Sequence, residues 1–261
     1  MTAPERTLGT FTDQASLVQA EHIAFSYGRT SVLHDVSIDV RPGEFVALVG
    51  PNGSGKSTLL KVLLGSLPSH EGSVRLFGED PHTLRDRGRL GYVPQRPSLS
   101  SAVPATVAEI VAAGRLSRRG WWRPLSAADR TAVAHALESV DLSELADRPI
   151  NQLSGGQQQR AFIARAFASE PSLLILDEPI AGVDARSQRR FRDALVHLIA
   201  EHGSGVLLVS HELSAVAPDL DRVIVLKRRV LFDGAPSRLT DEGVSLGVHR
   251  EDLPSWLEEL T

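Results

Sequence analysis

The sequence predicts an α/β fold in which a parallel-rich sheet is covered by helices and interrupted by a helical insertion. Three observations lead there. Short apolar runs at Phe45–Val49, Ser172–Leu176 and Gly205–Ser210 read as buried strands, with helical-period segments between them. The first run passes directly into Gly50-Pro51-Asn52-Gly53-Ser54-Gly55-Lys56-Ser57-Thr58 and then into an apolar-periodic helix. From about Ser98 to Glu170 strands give way to consecutive helical patterns.

Bulk properties set the bounds. At 261 residues the chain can bury a full core, and 42% hydrophobic with 23% charged residues is ordinary for a soluble globular protein. The longest apolar runs fall far short of the ~20 residues that span a bilayer. The start, MTAPERTLGTFTDQAS, lacks the apolar core of a signal peptide. Cysteine is absent, which excludes disulfides, thiol nucleophiles and thiolate metal sites. A net charge of −4 argues against a general nucleic-acid binder.

Taken in order, residues 1 to 17 are polar and aperiodic and are expected to form a loose tail. Strands follow at Gln19–Ser26 and Val36–Val40, joined through Tyr27-Gly28-Arg29. Arg41-Pro42-Gly43-Glu44 turns the chain into the Phe45–Val49 strand. Ser73–Phe77 alternates as a strand does, and Arg89–Val93 is a short one ending at Pro94-Gln95. In the insertion, Thr106–Ala113, Ser126–Val140, Ser143–Ala146 and Gly155–Ser169 read as helices, and Ser126 with Asp129 resembles a capping box. The frame resumes with Ser172–Leu176, the helix Ala185–His202 and the strand Gly205–Ser210. Two short strands, Arg222–Leu226 and Val230–Phe232, and a helical tail from Pro254 complete the chain.

The segment Gly50–Ser57 fits the phosphate-loop pattern, with the strand before it and the helix after it that the pattern requires. Gly50, Gly53 and Gly55 free the backbone to bring N–H groups against phosphate oxygens, and the helix N-terminus favours the same anion. Lys56 can reach the β- and γ-phosphates, and the Ser57 hydroxyl can ligate Mg²⁺. A nucleoside triphosphate is the expected ligand.

In such a sheet, ligands sit at the carboxyl ends of the strands, where Asp177, Glu178 and His211 all fall. Asp177 suits a magnesium site and Glu178 a general base on the attacking water, although an acidic pair after a strand equally suits a helix N-cap. His211 could donate to the γ-phosphate, and a lone histidine there is otherwise a capping residue. The other histidines form no pair at metal-ligand spacing. Leu153-Ser154-Gly155-Gly156-Gln157 offers a second cradle of N–H donors at a helix start. Two cradles for one triphosphate ask for a second subunit.

With LSGGQ at 153–157, GPNGSGKS at 50–57 and LLILDEP at 173–179, the chain resembles the ATPase subunits of ABC transporters over about residues 19 to 235. The resemblance implies a P-loop ATPase domain over 18–240, its helical subdomain inserted at about 98–170, and a C-terminal tail over 241–261. It implies ATP and Mg²⁺ as cofactors and a head-to-tail homodimer, in which Ser154, Gly155, Gly156 and Gln157 of one copy close over ATP held by the other. Tyr27 then stacks on adenine. Gln95 touches Mg²⁺ and the attacking water at the hinge to the helical subdomain, Asp184 crosses the dimer, and His211 is the switch histidine. Most members have Ser-Ala-Leu-Asp where this chain has Ala181-Gly182-Val183-Asp184, so the serine hydroxyl's cross-dimer contact is missing.

The resemblance also implies integral membrane permease subunits, docked near Arg96–Pro104, and an extracytoplasmic solute-binding protein. The subunit is then cytoplasmic, peripheral on the inner face of the membrane, with no nucleic-acid partner expected. Arg115–Arg123 is basic and aromatic and fits a permease, lipid head groups, nucleic acid or a solvated loop. LSGGQQQR, EPIAGVD and Ser210-His211-Glu212-Leu213 are similar to importers of zinc, manganese or iron, with zinc or manganese favoured. Only about 27 residues follow Gly234, too few for the regulatory domain of some sugar importers. The competing readings are another ABC transporter, importer or exporter, and an ABC ATPase of translation or repair; the single cassette and the lack of long heptads count against the last two.

Overall fold

The structure is a computed structural model, and it describes residues 15–95, 104–119, 122–179, 185–210, 213 and 215–242. The first two strands, β1 (Val18–Tyr27) and β2 (Thr30–Val40), form an antiparallel hairpin that turns at Gly28. Both are longer than the sequence pattern implied, because hairpin pairing carries the polar stretch Thr30–Asp35 as well. Next come β3 (Phe45–Val49), helix α1 (Lys56–Leu63) and β4 (Glu71–Leu76). Strand β4 pairs with β1, completing a three-stranded antiparallel sheet in the order β2-β1-β4.

The second sheet begins with β5 (Leu90–Val93), set up by a 3-10 turn over Arg87–Arg89. The helical insertion then supplies α2 (Val107–Ala112), α3 (Leu116–Arg119), α4 (Ala127–Ser139) and α5 (Gly155–Ala168). Ser143–Leu145, expected as a helix, is a single 3-10 turn, too short for an α-helical nucleus. After it come β6 (Leu173–Asp177), α6 (Ala185–His202), β7 (Gly205–Val209), β8 (Arg222–Lys227) and β9 (Arg229–Gly234). A last helix, α7 (Pro236–Glu242), was not anticipated, and the helix expected from Pro254 lies outside the described residues.

The six-stranded sheet has the order β5-β6-β7-β3-β8-β9, parallel except at the final pair. Its central strands are buried on both faces, so their side chains alternate between two cores. Ala47, Val49, Leu174, Leu176, Val206 and Leu208 face the helical side with α4, α5 and α6. Val46, Leu48, Leu173, Ile175, Leu207 and Val209 face α1 and the antiparallel sheet. Each such valine, leucine or isoleucine contributes about 1.5–3 kcal/mol by leaving water. That two-sided burial is why these strands read as unbroken apolar runs rather than alternating ones.

Capping settles the helical insertion. Ser126 Oγ accepts from the Asp129 N–H at 3.1 Å while the Asp129 carboxylate accepts from the Ser126 N–H at 3.0 Å, the expected reciprocal box. The same carboxylate accepts from Arg115 Nε at 2.8 Å. Hydrogen bonds from Arg115 and Ser126 hold the Asp129 carboxyl at about 2, below its ordinary 3.8. A depressed acid stabilises the fold above its ordinary range, and that contribution is lost as pH falls towards 2.

Candidate nucleotide site

Register places the chemistry on one edge. Asp177 pairs with Val209 and Leu48 with Val209, so Asp177 and the start of the phosphate loop share one row across the sheet. Val93 pairs with Leu176, which sets Pro94 and Gln95 beside that row. His211 and Asp184, also expected here, lie outside the described residues.

The loop itself is shaped by glycine. Gly50, Gly53 and Gly55 have φ of 153°, 78° and 104°. A Cβ on Gly50 would stand 2.1 Å from the Leu226 carbonyl oxygen, and one on Gly55 would stand 2.8 Å from Leu33 Cδ2. Beyond Pro51 and Asn52, a turn from the Ser54 N–H to the Pro51 carbonyl at 3.1 Å folds the loop over. Gly55 is the N-cap of α1 and offers no side-chain acceptor, so the N–H groups at this helix start are left for a ligand. The Ser54 hydroxyl is buried without a hydrogen-bond partner.

Lys56 reaches back through the loop, donating from Nζ to the Gly50 carbonyl at 2.6 Å and the Pro51 carbonyl at 3.1 Å. Burial lowers the affinity of its amine for a proton, and the charges of Glu178 and Asp177 oppose that shift. Both acids therefore lie near Lys56. Asp177 is buried at 8% exposure, and its carboxyl is pushed up by burial and by Glu178, with Lys56 and Lys61 pulling it down. A buried acid beside a second acid favours a positive charge in its neighbourhood. Ser57 and Thr58 follow at the first turn of α1, with Ser57 exposed.

Glu178 follows Asp177 with φ of 49°, a left-handed conformation uncommon outside glycine, and its N–H donates to the Val209 carbonyl at 2.8 Å. This turn ends the strand between two successive acids. Tyr27 stands at the end of β1, 48% exposed, in edge contact with Phe25 at 4.9 Å between ring centres. An exposed aromatic of this kind offers a flat face to a base. Tyr92 was missed by the sequence reading: its phenol is pushed up by burial and by the Asp177 charge, so it neighbours the acid. Its one signal was its place in a strand ending at Pro94-Gln95.

The second cradle stands apart from the first. Ser154 caps α5, accepting from the Gln157 N–H at 3.3 Å, while Gln157 Oε1 accepts from the Ser154 N–H at 2.9 Å. The cap uses the Gln157 side-chain carbonyl oxygen and backbone N–H. A Cβ on Gly155 or Gly156 would meet nothing within 4 Å. Behind this turn Gln159 donates to the Pro94 carbonyl at 3.4 Å, linking α5 to the segment that carries Gln95.

The basic stretch after α2 divides. Arg115 is buried, bonded to Asp129 and to the Ala168 carbonyl at 2.9 Å, and Arg118 donates to the Ser169 and Glu170 carbonyls. Two of its arginines therefore stitch the insertion together. Trp122, at 93% exposure, is its most exposed large apolar side chain among the described residues.

Comparison with known proteins agrees with this geometry. The sequence profile of the ABC transporter family matches residues 33–181. The zinc uptake system ATP-binding protein ZurA of Listeria innocua is 41% identical over 84% of this chain and 86% of its own length. The manganese transport system ATP-binding protein MntB of Bacillus subtilis is 37% identical over 87% of this chain and 90% of its own. A solved ATP-binding cassette, dimeric and bound to ADP and phosphate, superposes with a TM-score of 0.72 at 29% identity, over 84% of this chain and 98% of that one. The chain belongs to the ABC transporter family, as one of its ATP-binding and ATP-hydrolysing cassettes.

Proposed function

We propose that this cassette drives uptake of a transition metal, zinc or manganese, through separate membrane-spanning permease subunits, fed by an extracytoplasmic solute-binding protein. The observation that carries the cargo is the likeness to zinc and manganese uptake proteins, spread over most of both chains. Among the described residues no helix is long and apolar enough to cross a membrane, which supports a path built by other subunits. On this reading the cassette sits on the inner face of the membrane, held there by the permease.

Loop N–H groups and Lys56 hold the β- and γ-phosphates of ATP, and Tyr27 stacks on adenine. Magnesium fits the donor set: the Ser57 hydroxyl, the Asp177 carboxylate and the Gln95 amide oxygen are hard ligands, and the buried acid beside Glu178 accommodates a cation. When bound, the ion neutralises phosphate charge. Glu178 takes a proton from the attacking water as its oxygen bonds to the γ-phosphorus, and the bond to the β-phosphate oxygen breaks to leave ADP. His211 contacts the γ-phosphate and Asp184 the partner copy.

Two copies pack head to tail, with Ser154, Gly155 and Gly156 of one over the ATP of the other. The open faces of Gly155 and Gly156 support this, because among the described residues nothing requires them to lack side chains. Phosphate contacts then close the dimer, and loss of the γ-phosphate releases it.

Two measurements test the reading. A strain lacking the cassette and its permease should accumulate less zinc or manganese; normal metal with loss of another solute would overturn the cargo. Glu178→Gln should keep ATP affinity while turnover falls about 10²- to 10⁴-fold, the usual worth of a general base. Undiminished hydrolysis by that variant would remove Glu178 from its role.

A further inference from the structure

Away from the nucleotide, the seam between the helical subdomain and the core carries three imidazoles that are far apart in sequence. His135 of α4 and His197 of α6 have ring centres 5.0 Å apart with 70° between their planes. His202, at the end of α6, lies 6.1 Å from His197. With Ser139 and Ala194 they line a cavity of about 60 Å³. That is room for a small cation and its waters.

The imidazoles are available. All three residues are exposed, and among the described residues no hydrogen bond or ion pair occupies their nitrogens. Glu170 also borders the cavity, but its carboxylate is already held by Arg115 at 3.0 Å and Arg118 at 3.4 Å. Among the described residues no three ligating side chains are set to enclose a metal ion. Two suffice for a clip that water completes. Imidazoles sharing a tetrahedral zinc ion at about 2.0–2.1 Å have ring centres about 5 Å apart, which is the spacing His135 and His197 already have. Imidazole also selects Zn²⁺, Cu²⁺ and Ni²⁺ over the oxygen-seeking Mg²⁺.

We propose that His135 and His197 form a clip for a borderline divalent transition cation, zinc foremost, which pins α4 of the helical subdomain to α6 of the core. His202 stands near enough to join it. The seam is also tied nearby by Arg190 of α6, which reaches the Asp141 carboxylate at 3.0 Å and the Glu138 carbonyl at 3.2 Å. An ion that binds this arrangement of the two helices stabilises it and resists any step that shifts one against the other. Joined to the uptake reading, the clip makes the imported ion a brake on its own transport; the site itself stands without that reading.

Calorimetric titration of the full chain with Zn²⁺ alone, without nucleotide, tests the site. One ion per chain should bind in the micromolar range, and His135→Ala and His197→Ala should each weaken binding roughly tenfold or more. Mg²⁺ should give no heat in the same titration. Unchanged zinc affinity in either variant, or no binding by the wild type, would overturn the clip. Its regulatory role is read separately: added zinc should slow ATP turnover of the wild type but not of His135→Ala, whose zinc-free turnover stays normal. Equal slowing in both proteins would overturn the brake. A strain that takes up another solute would remove the cargo reading and leave the calorimetry to decide the clip.

Discussion

The phosphate loop opens α1 with three glycines at positive φ, whereas Ser154-Gly155-Gly156 opens α5 with two glycines in ordinary backbone. At Gly50 and Gly55 a side chain would strike Leu226 or Leu33, so the loop's own fold demands glycine. At Gly155 and Gly156 it would meet open space. The caps differ in the same sense. Gly55 leaves the helix start bare for a ligand, while Ser154 and Gln157 close theirs with a reciprocal box. One cradle is finished within the chain; the other is a finished helix start presenting an unfinished surface. Small residues with no internal reason to be small point to something approaching from outside.

The largest effect should follow from filling that open face. Gly156→Asp should fold normally, with thermal stability within the ~0.5 kcal/mol typical of surface changes. ATP turnover should nevertheless fall about a hundredfold or more, the worth of a lost phosphate-facing donor set with a carboxylate put against it. Native mass or light scattering of the ATP-bound Glu178→Gln protein would show a dimer, and adding Gly156→Asp should abolish it. A variant that hydrolyses ATP normally would break the comparison, since Gly156 would then face nothing.

Gly50→Ala tests the opposite cradle and should act on stability. Its Cβ would press on the Leu226 carbonyl from a φ that alanine resists, a cost of about 3 kcal/mol from overpacking and strain together. Denaturant unfolding without nucleotide measures it. An unaffected midpoint would mean that the loop needs glycine only for phosphate.

Lys56→Ala separates ligand from fold. Among the described residues its ammonium donates to the Gly50 and Pro51 carbonyls and feels the charges of Asp177 and Glu178, so stability should change by about 1 kcal/mol. ATP affinity should fall roughly 10- to 100-fold, the ~1.5–3 kcal/mol of a charged hydrogen bond. Equilibrium binding of a fluorescent ATP analogue reads it directly.

The two cradles were not equally legible in the sequence. Gly50–Ser57 was plain, because its local geometry alone explains its glycines and lysine. Asp177 and Glu178 were placed by the strand that ends at the first of them, yet the left-handed φ of 49° at Glu178 has no signature in residue type. Arg115 was read with an exposed basic stretch and proved buried, since its partners Asp129 and Ala168 lie far along the chain. His135 and His197 were dismissed for lack of spacing; only the packing of α4 on α6 brings them to 5.0 Å. Contacts within a turn are written in the sequence. Contacts between helices that happen to meet are not.

The smallest effect concerns the cap itself. Ser154→Ala removes the acceptor for the Gln157 N–H and leaves the backbone N–H at 154 that Gln157 Oε1 accepts from, which should cost about 1 kcal/mol of stability, the usual value for an N-cap. Gln157→Ala leaves the serine acceptor in place and should cost less. If capping were the whole role of Ser154, Ser154→Asp, an equally good cap, would restore both stability and turnover. If Ser154 also faces the partner's triphosphate, Ser154→Asp should restore stability while setting a carboxylate against phosphate, and turnover should stay low. Unfolding midpoint against ATPase rate, measured on these two variants, therefore separates the helix the serine caps from the site it completes.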